Sequence, residues 1–238
     1  MKKAVIIGAS SGIGRELAIQ LARLNYQLGL MARRESLLQE LSTSLPGEHF
    51  TQAVDLVDAE RSQEQLLTLA EKMGSVDLII VNSGVGNTER KLNWEIQREM
   101  IDVNVRGFAA MSMTAMNYFE KQRSGHLVGV SSIAAHISGG LTLTYHATKA
   151  FDSNYLSGMR SRATRSGLPI TVTTVEPGFV DTPMVQGSPM WMASVERAVR
   201  QIVKGIQRRR NHIYVTKRWR FVVWFARLIP NWLFRKFI

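Results

Sequence analysis

Seven short apolar runs alternate along the chain with longer segments of helical spacing, and this alternation constrains the fold more than any other feature. Several runs are near-continuously apolar, which is typical of strands that are buried on both faces. Parallel strands joined by helices bury both faces of a sheet in this way. The predicted strands are residues 3–9, 27–32, 49–54, 76–81, 126–132, 169–175 and 212–216.

Helical spacing is clearest over residues 15–25, 60–73 and 145–167. The 238 residues contain no internal repeat, low-complexity tract or obvious linker, and 45% of them are apolar, enough for one sizeable core. The sequence therefore predicts an α/β fold: a single doubly wound domain over residues 1–216 with a C-terminal extension over residues 217–238.

Cysteine is absent, which excludes disulfides, thiolate metal sites and cysteine nucleophiles. This composition suits a reducing compartment, so we expect a cytoplasmic protein, and no metal site is predicted. Basic charge is concentrated at the end of the chain: residues 197–238 hold 12 Lys and Arg and no acidic residue. The preceding residues are nearly balanced, with 18 basic and 19 acidic side chains.

A glycine-rich turn, "GASSGIG", follows the first predicted strand and precedes a helical segment. Its glycines, Gly8, Gly12 and Gly14, allow a tight turn and a close approach of the backbone to a pyrophosphate. The free N–H groups at the start of the following helix attract the same anion. Taken alone, the pattern is also compatible with an ordinary strand-to-helix turn, but its place between strand and helix favours a dinucleotide site.

Two arginines, Arg33 and Arg34, follow the second strand at the position where an NAD site usually carries a carboxylate. Guanidinium groups there can clamp a 2′-phosphate, which favours NADP(H) over NAD(H). The alternative is that both arginines only cap a solvated loop, since Glu35 can pair with either.

Polar residues and glycine also follow the third and fourth strands, where ligands bind in such sheets. Asp55 is positioned to accept a hydrogen bond from an adenine amino group, and Asn82 and Gly84 lie in "VNSG".

Tyr145 and Lys149 lie four residues apart in "YHATK", and this spacing places them on one face of a helix. A nearby ammonium favours phenolate and is expected to lower the pKa of a phenol toward the range useful for acid–base work. Ser132 ends the fifth strand and can donate a hydrogen bond to a substrate oxygen. The pair alone also occurs by chance in many helices.

The ordered motifs "GASSGIG", "VNSG", "IDVNVRG", "VSS", "YHATK" and "EPGFVDTPM" resemble those of the short-chain dehydrogenases/reductases, over residues 3–216. The resemblance implies a seven-stranded Rossmann sheet and hydride transfer between a nicotinamide and a carbonyl or alcohol. "VNSG" departs from the commoner N-N-A-G of the family, but it retains Asn82 and Gly84.

The resemblance also implies a role for individual residues. Tyr145 corresponds to the general acid or base, and Lys149 to the residue that tunes it and holds the ribose hydroxyls. Ser132 orients the substrate, Asn104 supports a proton-relay water beside Lys149, and Arg33 marks NADP-preferring members. The full set expected to bind cofactor is Gly8, Ser10, Ser11, Gly12, Ile13, Gly14, Arg33, Arg34, Asp55, Leu56, Asn82, Gly84, Tyr145, Lys149, Pro177, Gly178, Val180 and Thr182.

The extension, "KRWRFVVWFARLIPNWLFRKFI", combines basic side chains with a wide apolar and aromatic face. A membrane-spanning helix is disfavoured by Arg227 and Pro230. Two alternatives remain: the extension lies on an anionic membrane surface, or it folds over the protein's own cleft or a dimer partner. Charge alone does not favour a specific nucleic-acid partner.

The sequence therefore predicts an NADP(H)-dependent oxidoreductase that acts on an apolar carbonyl or alcohol, such as a long-chain ketone or aldehyde, a 3-oxoacyl compound or a steroid-like molecule. The alternative is a scaffold or sensor that binds NADP(H) without turnover. A homodimer or homotetramer is expected from the resemblance.

Overall fold

All seven predicted strands are present in the computed structural model, which describes residues 1–88, 91–185, 187 and 191–226. They form one parallel sheet in the order β3-β2-β1-β4-β5-β6-β7. The strands are β1 Lys2–Ile7, β2 Tyr26–Ala32, β3 Phe50–Ala53, β4 Leu78–Val81, β5 Gly125–Val130, β6 Ile170–Pro177 and β7 His212–Val215. The order reverses between β1 and β4, which confirms the doubly wound Rossmann-like α/β fold.

Helices connect these strands and cover both sheet faces. They are α1 Gly12–Arg23, α2 Glu35–Ser44, α3 Ala59–Met73, α4 Trp94–Ile101, α5 Phe108–Gln122, α6 Leu143–Ser166, α7 Val195–Gln207 and α8 Trp219–Ala226. A π-helical segment, Asp102–Gly107, joins α4 to α5, and a 3₁₀ turn, Ile133–His136, follows β5.

The central strands contribute alternate side chains to two separate cores. On β1, Ala4 and Ile6 pack on the side that includes residues of α1 and α7, whereas Val5 and Ile7 pack on the side that includes residues of α3 and α5. All four β1 side chains are fully buried. Burial on both faces is the physical reason why these strands read as nearly continuous apolar runs.

The predicted helix boundaries shift by one to three residues. The helix predicted at 15–25 begins at Gly12, inside the glycine-rich turn, and the helix predicted at 145–167 begins at Leu143. Tyr145 therefore lies in the first turn of α6 rather than at its start. The helix predicted at 60–73 is α3.

The first part of the C-terminal extension forms α8, which rests on the segment that follows β6. Its buried side chains, Trp219 and Val223, cluster with Ile133 from the 3₁₀ turn. The Trp219 ring also lies edge-on to Phe179, at 5.7 Å between centroids. The division of the chain at residue 216 stays a prediction, and residues 227–238 lie outside the described part of the structure.

Candidate active site

A central cleft of about 460 Å³ opens at the carboxyl ends of the strands. It brings together nearly all the residues that the sequence singled out, from six strand ends and from α6. The predicted site residues that line it are Gly8, Ser10, Ser11, Gly12, Ile13, Arg33, Arg34, Asp55, Leu56, Asn82, Gly84, Ser132, Tyr145, Lys149, Pro177, Gly178, Val180 and Thr182. Gly14 and Asn104 lie behind this surface.

The glycine-rich turn takes a shape that side chains would obstruct. Gly8 has a φ of +90°, and a Cβ there would lie 2.8 Å from the Ser83 backbone nitrogen. A Cβ at Gly14 would lie 2.0 Å from the carbonyl oxygen of Gly8, so this glycine lets α1 pack directly against the turn. Gly14 therefore shapes the site without facing it.

The start of α1 has no side-chain cap. Ser11 occupies the N-cap position, but its hydroxyl does not accept a hydrogen bond from the helix backbone. The hydroxyl accepts instead from Nη2 of Arg34, at 2.8 Å. The first backbone N–H groups of α1 are thus not satisfied by the cap and border the cleft, where an anion such as a pyrophosphate can accept from them.

Arg33 and Arg34 both face the cleft but have different partners. Arg34 Nη2 also donates to Ser10 Oγ at 2.8 Å, so Arg34 links the end of β2 to the glycine-rich turn. Arg33 Nη1 lies 3.5 Å from Glu99 Oε1 on α4. The carboxylate beside Arg33 is therefore Glu99 and not Glu35, the neighbour that the sequence suggested. The Arg33–Glu99 pair is half exposed, and such pairs are weak and easily exchanged for another anion.

Asp55 and Asn82 hold the neighbouring strand ends in place. Asp55 is exposed, and its Oδ1 accepts from the backbone N–H of Val57 at 3.2 Å. Asn82 Nδ2 donates to the carbonyl oxygen of Gly8 at 3.1 Å, which ties the end of β4 to the turn after β1.

Tyr145 and Lys149 both reach the cleft from α6. The Lys149 ammonium nitrogen lies 6.0 Å from the centre of the Tyr145 ring, which is half-buried. Ser132 also lines the cleft, and its hydroxyl accepts from the backbone N–H of Ala134 at 3.1 Å and donates to the Pro177 carbonyl at 3.4 Å. The second bond is long, so the proton of this hydroxyl can turn toward a ligand at small cost.

Lys149 is almost completely buried and forms an ion pair that the sequence analysis missed. Its Nζ donates to Asp152 Oδ2 at 2.9 Å and to the Val130 carbonyl at 3.3 Å. Burial opposes the charged ammonium, but the electrostatic interactions with Asp152 and Tyr145 and the hydrogen bond to Asp152 outweigh it, so the pKa of Lys149 is raised. Burial also raises the pKa of Asp152 to about 6, against the opposing effect of Lys149.

Asn104 lies fully buried in the π-helical segment. Its amide oxygen accepts from the Val85 N–H at 2.8 Å, and its NH₂ group donates to the Val85 carbonyl at 2.8 Å and to Thr148 Oγ1 at 3.1 Å. Asn104 therefore fastens the segment after β4 to α6 beside Lys149. The water that the resemblance places there stays a prediction.

The sequence analysis also missed a second buried acid, Glu176. Its hydrogen bonds connect the end of β6 with α6, β7 and the 3₁₀ turn. Its Oε2 accepts from His136 and His212 at 2.7 and 2.9 Å, and its Oε1 accepts from Ser153 at 2.7 Å. Burial alone would raise the pKa of Glu176, but these hydrogen bonds lower it to about 2. The Ser153 hydroxyl also lies 2.8 Å from that of Ser131, so the network joins β6 to the residue after β5.

The segment after β6 closes the cleft on the side of the glycine-rich turn. Gly178 lies against the Trp219 ring and leaves no room for a larger side chain, whereas a Cβ on Gly12 would lie 3.3 Å from Thr182 Cγ2 and would require Thr182 to shift slightly. Met184 and Val185 add apolar surface to the cleft. Within the described residues, no group of three or more His, Cys, Asp or Glu side chains is placed to hold a metal ion.

Comparisons with known proteins agree with this geometry. The family model described as short chain dehydrogenase matches residues 2–193. An uncharacterized oxidoreductase from Myxococcus xanthus is 33% identical over 243 residues, which cover 98% of this chain and 94% of the relative.

Two solved structures share the fold at lower sequence identity. A short-chain dehydrogenase/reductase from Burkholderia phymatum, in complex with NAD, has a TM-score of 0.85 and 21% identity, covering 93% of this chain and 91% of its own. A short-chain dehydrogenase from Sphingobium yanoikuyae, in complex with NADPH, has a TM-score of 0.82 and 21% identity, covering 93% of this chain and 92% of its own.

Proposed function

The chain belongs to the short-chain dehydrogenase family of oxidoreductases, and from this premise we propose that it reduces apolar carbonyl compounds with NADPH, with Tyr145 as the proton donor. The observation that carries the proposal is the convergence of Ser132, Tyr145 and Lys149 on the same cleft as the glycine-rich turn.

The residues of the cleft fit a dinucleotide. The uncapped start of α1 and the turn at Gly8, where a Cβ would collide, suit a pyrophosphate. Because the two solved relatives are complexes with NAD and with NADPH, the fold does not decide between these cofactors. The preference for NADP(H) rests on Arg33 and Arg34, which both line the cleft and carry guanidinium groups that can bind a 2′-phosphate.

A bound nicotinamide would supply the hydride for the carbonyl carbon. The protein then has to supply a proton to the carbonyl oxygen, and the Tyr145 hydroxyl is the acid in this arrangement. Ser132 donates a hydrogen bond to the same oxygen and orients it. The buried ammonium of Lys149 favours the phenolate that remains after proton transfer, because opposite charges attract more strongly where water is excluded.

An apolar substrate is supported by the surface beside the presumed reaction site. Met184 and Val185 line the cleft, and Phe179, which lies between the lining residues Gly178 and Val180, exposes 41% of its surface.

The direct test compares NADPH oxidation by the wild type and by Tyr145→Phe with a panel of long-chain ketones, aldehydes and steroid-like ketones. Loss of a general acid is expected to lower kcat by about 10²- to 10⁴-fold. NADPH should still bind, as measured by fluorescence, because the glycine-rich turn, the two arginines and Lys149 are retained. The matched control is Tyr155→Phe, which removes a half-buried hydroxyl from the same helix outside the cleft.

Equal rates for Tyr145→Phe and the wild type would overturn the catalytic assignment. NADPH binding by the wild type without oxidation of any panel member would point instead to a sensor or scaffold.

We also propose that the C-terminal extension contacts an anionic membrane surface. The exposed side of α8 carries three aromatic residues, Phe221, Trp224 and Phe225, which expose 72%, 64% and 61% of their surfaces. Lys217 and Arg220 are exposed beside them. Aromatic side chains flanked by basic ones suit the boundary between anionic headgroups and acyl chains. Assembly as a homodimer or homotetramer stays a prediction.

A further inference from the structure

The Lys149–Asp152 ion pair is buried in a way that packing alone does not explain. Lys149 and Asp152 are 4% and 0% exposed, and they lie three residues apart on α6. Asp152 Oδ1 is buried and has no hydrogen-bond partner among the residues that the structure describes. A buried carboxylate with one unsatisfied oxygen is costly, and apolar residues in place of such pairs are often at least as stable. The pair is therefore better explained by its effect on the charge and position of the Lys149 ammonium than by stability.

Asp152 determines how the Lys149 ammonium is presented to the cleft. The ammonium has three N–H donors, and the bonds to Asp152 and Val130 occupy two of them. A single donor is left for a ligand in the cleft. The ammonium lies close to Gly84 there, since a Cβ on that glycine would be 3.2 Å from Lys149 Nζ.

We propose that Asp152 is a positioning residue that keeps the Lys149 ammonium charged and directed into the cleft, and thereby sets the pH range over which Tyr145 donates its proton. The proposal rests on the proposed reductase function. Asp152 itself does not touch the cleft, so it acts only through Lys149.

The neighbourhood of the pair contains few other titratable groups. Lys149 is influenced by Asp152 and Tyr145 on its own helix. The strand β5 contributes the Val130 carbonyl and the Ser131 hydroxyl, and the π-helical segment contributes the uncharged Asn104.

The other charged groups lie one layer further back. Glu176 on β6 contacts His136 of the 3₁₀ turn and His212 of β7, and Ser153 and Ser131 connect it with the Lys149 backbone carbonyl rather than with the ammonium. Asp152 is therefore the carboxylate that governs the charge of Lys149 among the described residues.

The sign of the effect follows from this arrangement. Removal of the Asp152 carboxylate makes the Lys149 ammonium release its proton more readily, because the negative charge that stabilises it is lost. Carbonyl reduction needs the protonated tyrosine and the charged lysine, so the rate falls at high pH. Without the carboxylate, the charged form of Lys149 is lost at lower pH, so this alkaline limb has to move to lower pH.

The test measures kcat/KM for NADPH-dependent reduction against pH in the wild type, in Asp152→Asn and in the control Glu120→Gln. Asn has nearly the same shape as Asp, so the packing is retained. Glu120→Gln also removes a carboxylate that pairs with α6, through Arg162, but away from the cleft. We expect the alkaline limb of Asp152→Asn to move down by at least about one pH unit, and that of the control to remain in place.

A second readout does not depend on turnover. NADPH affinity in Asp152→Asn should weaken at a lower pH than in the wild type, because Lys149 loses its charge earlier. If the wild type binds NADPH without reducing any panel compound, the proposed function fails, and this binding profile still tests Asp152.

A profile that coincides with the wild type, with only a lower melting temperature, would show that Asp152 has a purely structural role. If Asp152→Asn does not fold, Asp152→Ser in the NADPH-saturated protein replaces it, because the smaller side chain leaves space for water. An unchanged alkaline limb in that variant overturns the proposal in the same way.

Discussion

Arg34 joins two segments of the cleft, because its Nη2 donates to both Ser10 and Ser11 in the glycine-rich turn. Under the proposed NADPH preference, Arg34→Ala should lower activity with NADPH more than activity with NADH, because the guanidinium can bind the 2′-phosphate that only NADPH carries. Loss of a charge-assisted hydrogen bond costs about 1.5–3 kcal/mol, so kcat/KM for NADPH is expected to fall by about 10- to 100-fold. The value for NADH should change by less than about threefold, since its ribose carries no 2′-phosphate.

Steady-state kinetics with both cofactors checks this expectation. Arg98→Ala is the control, since Arg98 pairs with Glu95 on exposed α4 and does not line the cleft. An equal fall for NADPH and NADH in Arg34→Ala would mean that Arg34 only supports the turn and does not select the cofactor.

Among individual residues, the sequence predicts those site residues that can be recognised from other residues close to them in the chain. Tyr145 and Lys149 are recognisable because their spacing on one helix implies a shared face. A spacing of three residues also places Asp152 on the same helix face as Lys149. The sequence did not single out Asp152 as a site residue, because acidic residues usually lie at the surface. One feature of the sequence indicates that Glu176 is unusual: it is a charged residue at the end of an apolar strand. Its partners His136 and His212 are distant in the chain, so only the fold could assign them.

At the scale of elements, Gly14 shows how one missing side chain fixes the position of α1. A Cβ at this site would lie 2.0 Å from the Gly8 carbonyl oxygen, a backbone atom that cannot move aside without shifting β1 or the helix. We expect Gly14→Ala to lower the free energy of unfolding by about 3 kcal/mol, near the upper end of overpacking effects, and to weaken NADPH binding.

Gly158→Ala is the matched control on α6. A Cβ there meets no heavy atom within 4 Å, and alanine favours a helix over glycine, so the variant should be about 0.4–1 kcal/mol more stable. Denaturant unfolding of both variants checks the contrast. Similar stability changes in the two would show that space around Gly14 does not limit the packing of α1.

The elements themselves were largely predictable, because near-continuous apolar runs fit strands that are buried on both faces. Their ends were less certain: α1 starts three residues before the predicted position, inside the turn. The π-helical segment Asp102–Gly107 was not predicted at all. It places Asn104 against Val85 and Thr148, and such contacts between distant segments leave no local periodicity in the sequence.

At the scale of the whole molecule, the uneven charge and the exposed aromatic side of α8 belong together. Residues 197–238 hold 12 Lys and Arg without an acidic residue, which gives this end of the chain its attraction for anionic surfaces. In the described part of the chain, no helix has the length and apolar character needed to cross a bilayer. The alternative, an extension that folds over the protein's own cleft or a dimer partner, stays a prediction; in the described part, Trp219 and Val223 of α8 pack with Ile133.

Cosedimentation with vesicles separates these alternatives for the exposed side of α8. The full-length protein should bind vesicles that contain phosphatidylglycerol, bind pure phosphatidylcholine weakly, and dissociate as salt rises, since salt screens exposed charges beyond about 10 Å at 0.1 M. Replacement of Phe221, Trp224 and Phe225 by Ser should reduce binding by at least about tenfold. Lys217→Gln with Arg220→Gln should reduce binding and its salt dependence.

These substitutions leave the buried contacts of α8 intact, which truncation after Thr216 would not, because truncation removes Trp219 from its place against Gly178. Trp94→Ser is the control, since Trp94 on α4 is 64% exposed, as Trp224 is. It should leave vesicle binding unchanged, because α4 lacks the basic cluster of the C-terminal extension. Equal loss in this control would indicate nonspecific adhesion of exposed aromatics. No binding of the wild type to anionic vesicles would leave α8 as a cover for the segment after β6, and its aromatic side would then need a protein partner.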